Sequence, residues 1–189
     1  ELISIFVCKK DADIENFLKN RAITFEKLGK SRTFFIYDED EDDFQILAYF
    51  TLAIQVLKVP EDMISSRKAK SLDGFSSKIR GEKITEFPAI LIGQLGKNEM
   101  YSEKISGAKV LEYCLATILE GQARLGGRII MLECKNITYL IKLYEMFGFK
   151  LLEMDYEEDG LLQMIKILRE DEIIEYEDEI IVQIDSMIT

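Results

Sequence analysis

The chain has 189 residues, with 24 Lys and Arg, 35 Asp and Glu, three Cys, two Pro and neither His nor Trp. Its net charge of −11 sits at one end: residues 1–152 hold 22 basic and 22 acidic side chains, whereas 153–189 hold 2 and 13. This excludes a uniformly basic nucleic-acid binder, a Ser-His or Cys-His nucleophile pair and a His-ligated metal.

An apolar content of 48% suits one well-buried core, so the length predicts a single domain over 1–168 followed by an acidic extension, 169–189. Cys8, Cys114 and Cys134 are odd in number and lie in apolar surroundings, which predicts buried thiols in a reducing, cytoplasmic setting. The most apolar stretch, Ile46 to Leu57, is too short to cross a membrane, and no signal peptide, spanning segment or metal site is expected.

In chain order, Asp13 to Leu28 carries Ile14, Phe17, Leu18, Phe25 and Leu28 at helical spacing, with Asp13 as N-cap and Gly29 as terminator. Thr33–Tyr37 and Phe44–Leu57 read as the arms of a hairpin around DEDEDD at 38–43. That acidic run lacks the glycine and terminal Glu of an EF-hand and reads as a solvated turn. Residues 58–83 lack periodicity and read as a solvated loop. Within them, Arg67, Lys68, Lys70, Lys78, Arg80 and Lys83 face only Asp73 and Glu82, a local balance of +4 that also suits a phosphate-facing surface.

Ala89 to Leu95 forms a short apolar strand, followed by a polar loop over 96–106 and a helix beginning near Gly107, with Val110, Leu111, Cys114, Leu115, Ile118 and Leu119 inward. Arg128 to Glu133 is a second strand. Asn136 then caps a helix with Ile137, Leu140, Ile141, Tyr144 and Phe147 inward, ended by Gly148. Phe149–Met154 and Leu161–Leu168 close the fold as a hairpin. Beyond it, Ile173, Ile174, Ile180, Ile181, Ile184, Met187 and Ile188 give 169–189 an amphipathic stripe, suited to docking on its own domain or on a second copy as a homodimer.

A strand running through a glycine-bearing loop into a helix N-terminus gathers free N–H groups and the positive end of the helix dipole, a site for phosphate. The segment FPAILIGQLGKNEMYSEKISGAKVLEY at 87–113, followed by MLECKNITYLIKLYEMFGF at 131–149, resembles the GNAT superfamily of acetyl-CoA-dependent N-acetyltransferases. The resemblance implies an α/β (α+β) fold: a mixed, mostly antiparallel central sheet flanked by helices, its central strands splayed. The family's Q/R-x-x-G-x-G/A pyrophosphate loop falls on Ser102, Glu103, Lys104, Ile105, Ser106 and Gly107, leading into Ala108; Ser102 replaces Gln or Arg, and Ile105 the first Gly.

By the same resemblance, Tyr144 is the general acid that protonates the departing thiolate, Glu133 the base that deprotonates the amine, and Asn136 a partner of the pantetheine arm. Glu86 is the reserve base. The backbone of Leu95 and Lys97 pairs with pantetheine, Gly93 and Gly96 permitting a bulge there. A tyrosine suits the acid role because, titrating near ~10, it holds its proton at neutral pH. Cys134 lies beside Glu133, yet without an activating neighbour direct transfer in a ternary complex is preferred to an acyl-cysteine.

SRTFFIYD at 31–38 and PAILIGQLGKN at 88–98 resemble the toxin-like GNAT branch that acetylates aminoacyl-tRNA, with Gln94 where that branch often has Arg. A small, peptide or protein amine and aminoacyl-tRNA are therefore all open as acceptors, without a role for DNA. The altered loop residues Ser102 and Ile105 also admit a GNAT-derived CoA-binding or regulatory module that has lost catalysis.

Overall fold

The computed structural model describes residues 2–38, 44–152, 160–169 and 171–173. After a 3₁₀ turn, Leu2–Ile5, come helices α1 (Ala12–Asn20) and α2 (Ala22–Lys27), strands β1 (Arg32–Asp38) and β2 (Gln45–Lys58), and helix α3 (Ser66–Asp73). The short strands β3 (Lys78–Ile79) and β4 (Glu82–Lys83) precede β5 (Glu86–Lys97), a 3₁₀ turn at Glu99–Tyr101, and α4 (Gly107–Leu125). The chain ends in β6 (Ile129–Lys135), α5 (Thr138–Met146), β7 (Lys150–Leu151) and β8 (Leu161–Ile167). Six strands form one sheet in the order β1-β2-β5-β6-β8-β7, while β3 and β4 form a separate hairpin. The β1–β2, β6–β8 and β7–β8 pairs are antiparallel, giving the expected mostly antiparallel sheet with flanking helices.

Residues 1–54 and 91–118 make one compact unit, and 55–90 with 119–189 a second. In the first, successive residues of β2 feed two apolar clusters. Phe6, Leu18, Ile46 and Tyr49 form one, with the Phe6 and Tyr49 rings edge-to-face at 5.3 Å and the Tyr49 hydroxyl donating to Ile14 O at 2.6 Å. Leu47, Ala48, Ile105 and Val110 form the other. In the second unit, β6 and β8 pair from Ile129↔Ile167 to Lys135↔Leu161, and Ile129, Ile130, Leu132 and Met164 on them are buried.

Several boundaries depart from the sequence expectation. The first helix is two: its N-cap is Asp11, which accepts from Asp13 N–H, and the chain breaks at Arg21, whose backbone (φ −123, ψ −33) is not helical. Leu28 is exposed rather than inward. The stretch read as an aperiodic loop contains α3, capped by Ser65 on Lys68 N–H and closed by Gly74 in the left-handed region. Only Ala69 and Leu72 are buried along its eight residues, too few to produce a visible period. β5 continues through Lys97, and a 3₁₀ turn follows where loop was expected. Helix α5 starts after Ile137, so Asn136 is not its cap; Ile137 N–H instead closes a tight turn onto Lys135 O at 2.7 Å. Ile137 is exposed, and Leu143 takes the buried place beside Tyr144. Most of the 38–43 turn, the tip of the last hairpin and most of the acidic extension lie outside the described residues.

Candidate active site

The candidate cofactor residues other than Asn136 lie in the first unit, and Asn136 lies with the candidate catalytic residues Glu133 and Tyr144 in the second. In the first unit, β5 leads through a short turn into α4. Leu95 is half-buried against the Leu47–Ile105–Val110 cluster. Gly96 is a packing glycine: a Cβ there would lie 2.4 Å from Ile14 Cγ2 and 3.4 Å from Tyr49 Cε1, so α1 rests directly on the strand. Next, the wholly buried Asn98 accepts from Val7 N–H (3.2 Å) and Met100 N–H (3.2 Å) and donates to Ile46 O (2.9 Å). That one side chain ties the exit of β5 to the N-terminal segment and to β2.

The candidate pyrophosphate loop is anchored at both ends. The Lys97 ammonium donates to Ser102 O at 3.0 Å and to Ile105 O at 2.6 Å. Ile105, at the family's glycine position, turns its side chain into the core and is 7% exposed. Its φ is not positive, Arg80 being the one described non-glycine residue in that region. Ser106 caps α4, its Oγ accepting from Lys109 N–H at 3.1 Å and its carbonyl accepting from Val110 N–H at 3.1 Å. Gly107 and Ala108 thus occupy the first two helical positions, where N–H groups have no intrahelical acceptor and the dipole is positive. Ser102 and Glu103 are exposed. The Lys104 ammonium is held by Asp38 Oδ2 (2.9 Å) and Gln45 Oε1 (3.0 Å), the last pair at the turn end of β1 and β2.

In the second unit, Glu133 is exposed on β6, directly across from Gln163 on β8. Gln163 is nearly buried; its Nε2 lies 3.5 Å from Glu133 Oε1, and its own Oε1 has no donor among the described residues. Tyr144 sits on the inner side of α5, 8% exposed, edge-on to the Phe149 ring at 5.9 Å. Asn136 is exposed at the β6–α5 turn. Cys134 is buried with its Sγ 3.9 Å from Met164 Sδ, and burial pushes its thiol up, away from the nucleophilic thiolate. Glu86 is engaged on the surface by Lys58 at 3.0 Å. All three cysteines are free and buried. Asn98 and Gln163 are residues to which sequence reasoning gave no role, and Ser106, read there as part of the cofactor loop, is in addition the cap of α4.

AtaT complexed with acetyl-methionyl-tRNAfMet aligns with a TM-score of 0.61 at 15% identity, over 85% of both chains. AtaTR bound with acetyl-CoA aligns at 0.61 and 16%, over 85% of this chain and 84% of that one. The chain has the GNAT fold. A further structure, described as a bacterial toxin, shares this GNAT fold at a TM-score of 0.64 and 15% identity, over 92% and 86% of the two chains. By sequence, no family model and no curated protein matches. Among the described residues, no helix is long and apolar enough to cross a membrane, and no cluster of three or more Cys, Asp or Glu could hold a metal ion.

Proposed function

We propose that the chain is an N-acetyltransferase that moves an acetyl group from acetyl-CoA to a primary amine by direct attack. The observation that carries this reading is the start of α4. In a GNAT fold, at the end of β5, Ser106 caps the helix while Lys97 and Ile105 hold the loop from behind, leaving the N–H groups of Gly107 and Ala108 for a pyrophosphate. Those residues fit the group: the donors are main-chain, and the non-glycine Ile105 is accommodated without a left-handed backbone.

Acetyl-CoA supplies an activated thioester. Glu133, exposed and steadied by Gln163, takes the proton from the incoming ammonium directly or through one water, freeing the lone pair. Tyr144 donates its phenolic proton to the leaving sulfur as the new amide forms. Burial keeps Cys134 a neutral thiol, which favours direct transfer over an acyl-cysteine. The backbone of Leu95 and Lys97 pairs with the pantetheine arm, and Asn136 contributes a further bond to it.

Isothermal titration with acetyl-CoA, followed by transfer of labelled acetyl to a panel of amines, tests the reading. Saturable binding and turnover are expected; no binding at millimolar acetyl-CoA would reject it. Binding without turnover on any acceptor would favour a regulatory CoA-binding module.

A second, finer reading makes the acceptor the α-amine of an aminoacyl-tRNA. It is supported by the fold shared with AtaT in its complex with acetyl-methionyl-tRNAfMet and by the basic segment 67–83. Transfer to a charged tRNA pool, with none to the same amino acids when free, would support it.

A further inference from the structure

The basic segment that looked like loop in the sequence is a built surface. Helix α3 exposes Arg67 and Lys70. Its left-handed cap, Gly74 (φ 91), then turns the chain so that Phe75 stands 88% exposed. Phe75 is held there: Asp73 Oδ2 accepts from the N–H groups of Phe75 (3.2 Å) and Ser76 (2.8 Å), and Ser76 Oγ accepts from Lys78 N–H (3.1 Å) while donating to Lys78 O (2.8 Å). The β3–β4 turn follows immediately, with Arg80 (φ 52) and Gly81 (φ 90) at its tip. Two positive φ values in succession suit a tight hairpin turn, a geometry normally given to Asn-Gly. Here an arginine accepts the strained position and carries its guanidinium to the tip.

Arg128 joins them, its guanidinium lying where a Cβ on Gly74 would be. Among the described residues, no carboxylate pairs with Arg67, Lys70, Arg80 or Arg128. An exposed aromatic ring on a backbone pinned by Asp73, with cations on the preceding helix, at the tip of the following hairpin and at Gly74, is poorly suited to water alone. It matches what a single-stranded nucleic acid presents: a flat base beside evenly spaced phosphates.

We infer that the α3 and β3–β4 surface docks a single-stranded RNA segment, with one base stacked on Phe75 and the flanking phosphates on Arg67, Lys70, Arg80 and Arg128. This deepens the aminoacyl-tRNA reading and rests on it for the choice of RNA. A nucleic acid is favoured over an acidic polypeptide because each of its units carries both a flat base for the ring and a phosphate for the cations.

The test is fluorescence anisotropy of an unstructured 12-nucleotide RNA with the full chain, across a salt series. Phe75→Ala, a substitution of an exposed side chain, is expected to weaken binding about 5- to 140-fold, the range for one lost base stack, with the salt slope unchanged. The triple change Arg67→Ala, Lys70→Ala, Arg80→Ala is expected to lower the slope of log K against log salt by about 2, three phosphate contacts on a single strand. RNA affinity indifferent to both variants would overturn the inference, as would tighter binding of double-stranded DNA. So would stronger competition from polyglutamate than from RNA, which would assign the surface to an acidic polypeptide.

Binding is read without turnover, so the two ideas fail separately. Acetyl transfer to simple amines with no Phe75-dependent RNA binding removes this surface and leaves the enzyme. Phe75-dependent binding with no affinity for acetyl-CoA does the reverse.

Discussion

Replacing Lys97 by methionine probes the cofactor loop without touching the N–H groups proposed to bind. The ammonium holds Ser102 O and Ile105 O at 3.0 and 2.6 Å, and hydrogen bonds to a charged group contribute roughly 1.5–3 kcal/mol each. Ser102 is exposed, so its carbonyl regains water; the Ile105 carbonyl, on a 7% exposed residue, is the greater loss. We therefore expect about one such bond, roughly 1.5–3 kcal/mol, to be lost in stability, which for a domain of this size lowers Tm by about 3–12 °C. The Ile105 side chain still anchors the loop, so the fold survives but binding must reorder 102–106. Acetyl-CoA affinity should fall by up to the same amount, about 10- to 150-fold. Calorimetric titration at low and at 0.5–1 M salt separates this from simple loss of a positive charge, because a long-range Coulombic effect is largely screened at about 1 M and a disordered loop is not. Lys97→Arg, which keeps charge and donors, should recover most of the affinity. Unchanged affinity in Lys97→Met alongside a lowered Tm would refute the link between this clamp and the binding site.

Tyr144→Phe keeps the ring packed against Phe149 and removes the hydroxyl proposed as the proton donor, so turnover should drop by about 10²–10⁴ with acetyl-CoA affinity unchanged. Steady-state kinetics beside calorimetry would show it, and wild-type turnover would remove Tyr144 from the reaction. Gly96→Ala should cost about 1–3 kcal/mol by forcing Ile14 off the strand. In a double-mutant cycle, Ile14→Ala should be less damaging in that background than in the wild type; strict additivity would contradict the contact. The Glu15 carboxyl accepts from Cys8 N–H at 2.8 Å and from the Lys19 ammonium at 2.6 Å, and these hold it below its ordinary value near 4.5. A carboxyl depressed in the folded state stabilises above its unfolded value, and that contribution is lost as pH falls through the folded one. Melting curves of Glu15→Gln should accordingly lose part of the acid-side decline below about pH 4.5, and an identical decline would show that the pair contributes nothing.

The run from β5 to α5 was the most legible part of the chain. Its strands are apolar enough, and α4 long and periodic enough, that Gly107 as the first helical residue could be read directly. What escaped reading depends on contacts between distant segments. Gln163 faces Glu133 only because β8 pairs with β6 in one register, thirty residues on. Asn98 looks like a loop polar residue until Val7 and Ile46 surround it. The clamp by Lys97 depends on where the 102–105 carbonyls turn, which no periodicity encodes. Asn136 misled for a local reason: the β6–α5 connection bonds Ile137 to Lys135 and postpones the helix, so a good capping residue stands one place too early.

The replacement of glycine by Ile105 illustrates why motif erosion and loss of a site are different things. A glycine in an anion loop is needed where the backbone must adopt positive φ or where a side chain would block the ligand. Neither applies to Ile105, whose backbone is not left-handed and whose side chain fills the cluster of Leu47, Ala48 and Val110. An apolar anchor facing the core and a lysine tether on the carbonyls supply, by packing and charge, the fixed geometry that the glycine pattern obtains by conformational freedom. The donors themselves are main-chain and survive any such change. The departure from the glycine pattern at Ile105 therefore leaves the loop with a fixed geometry and free main-chain donors, which supports the proposed acetyltransferase over a module that has lost catalysis.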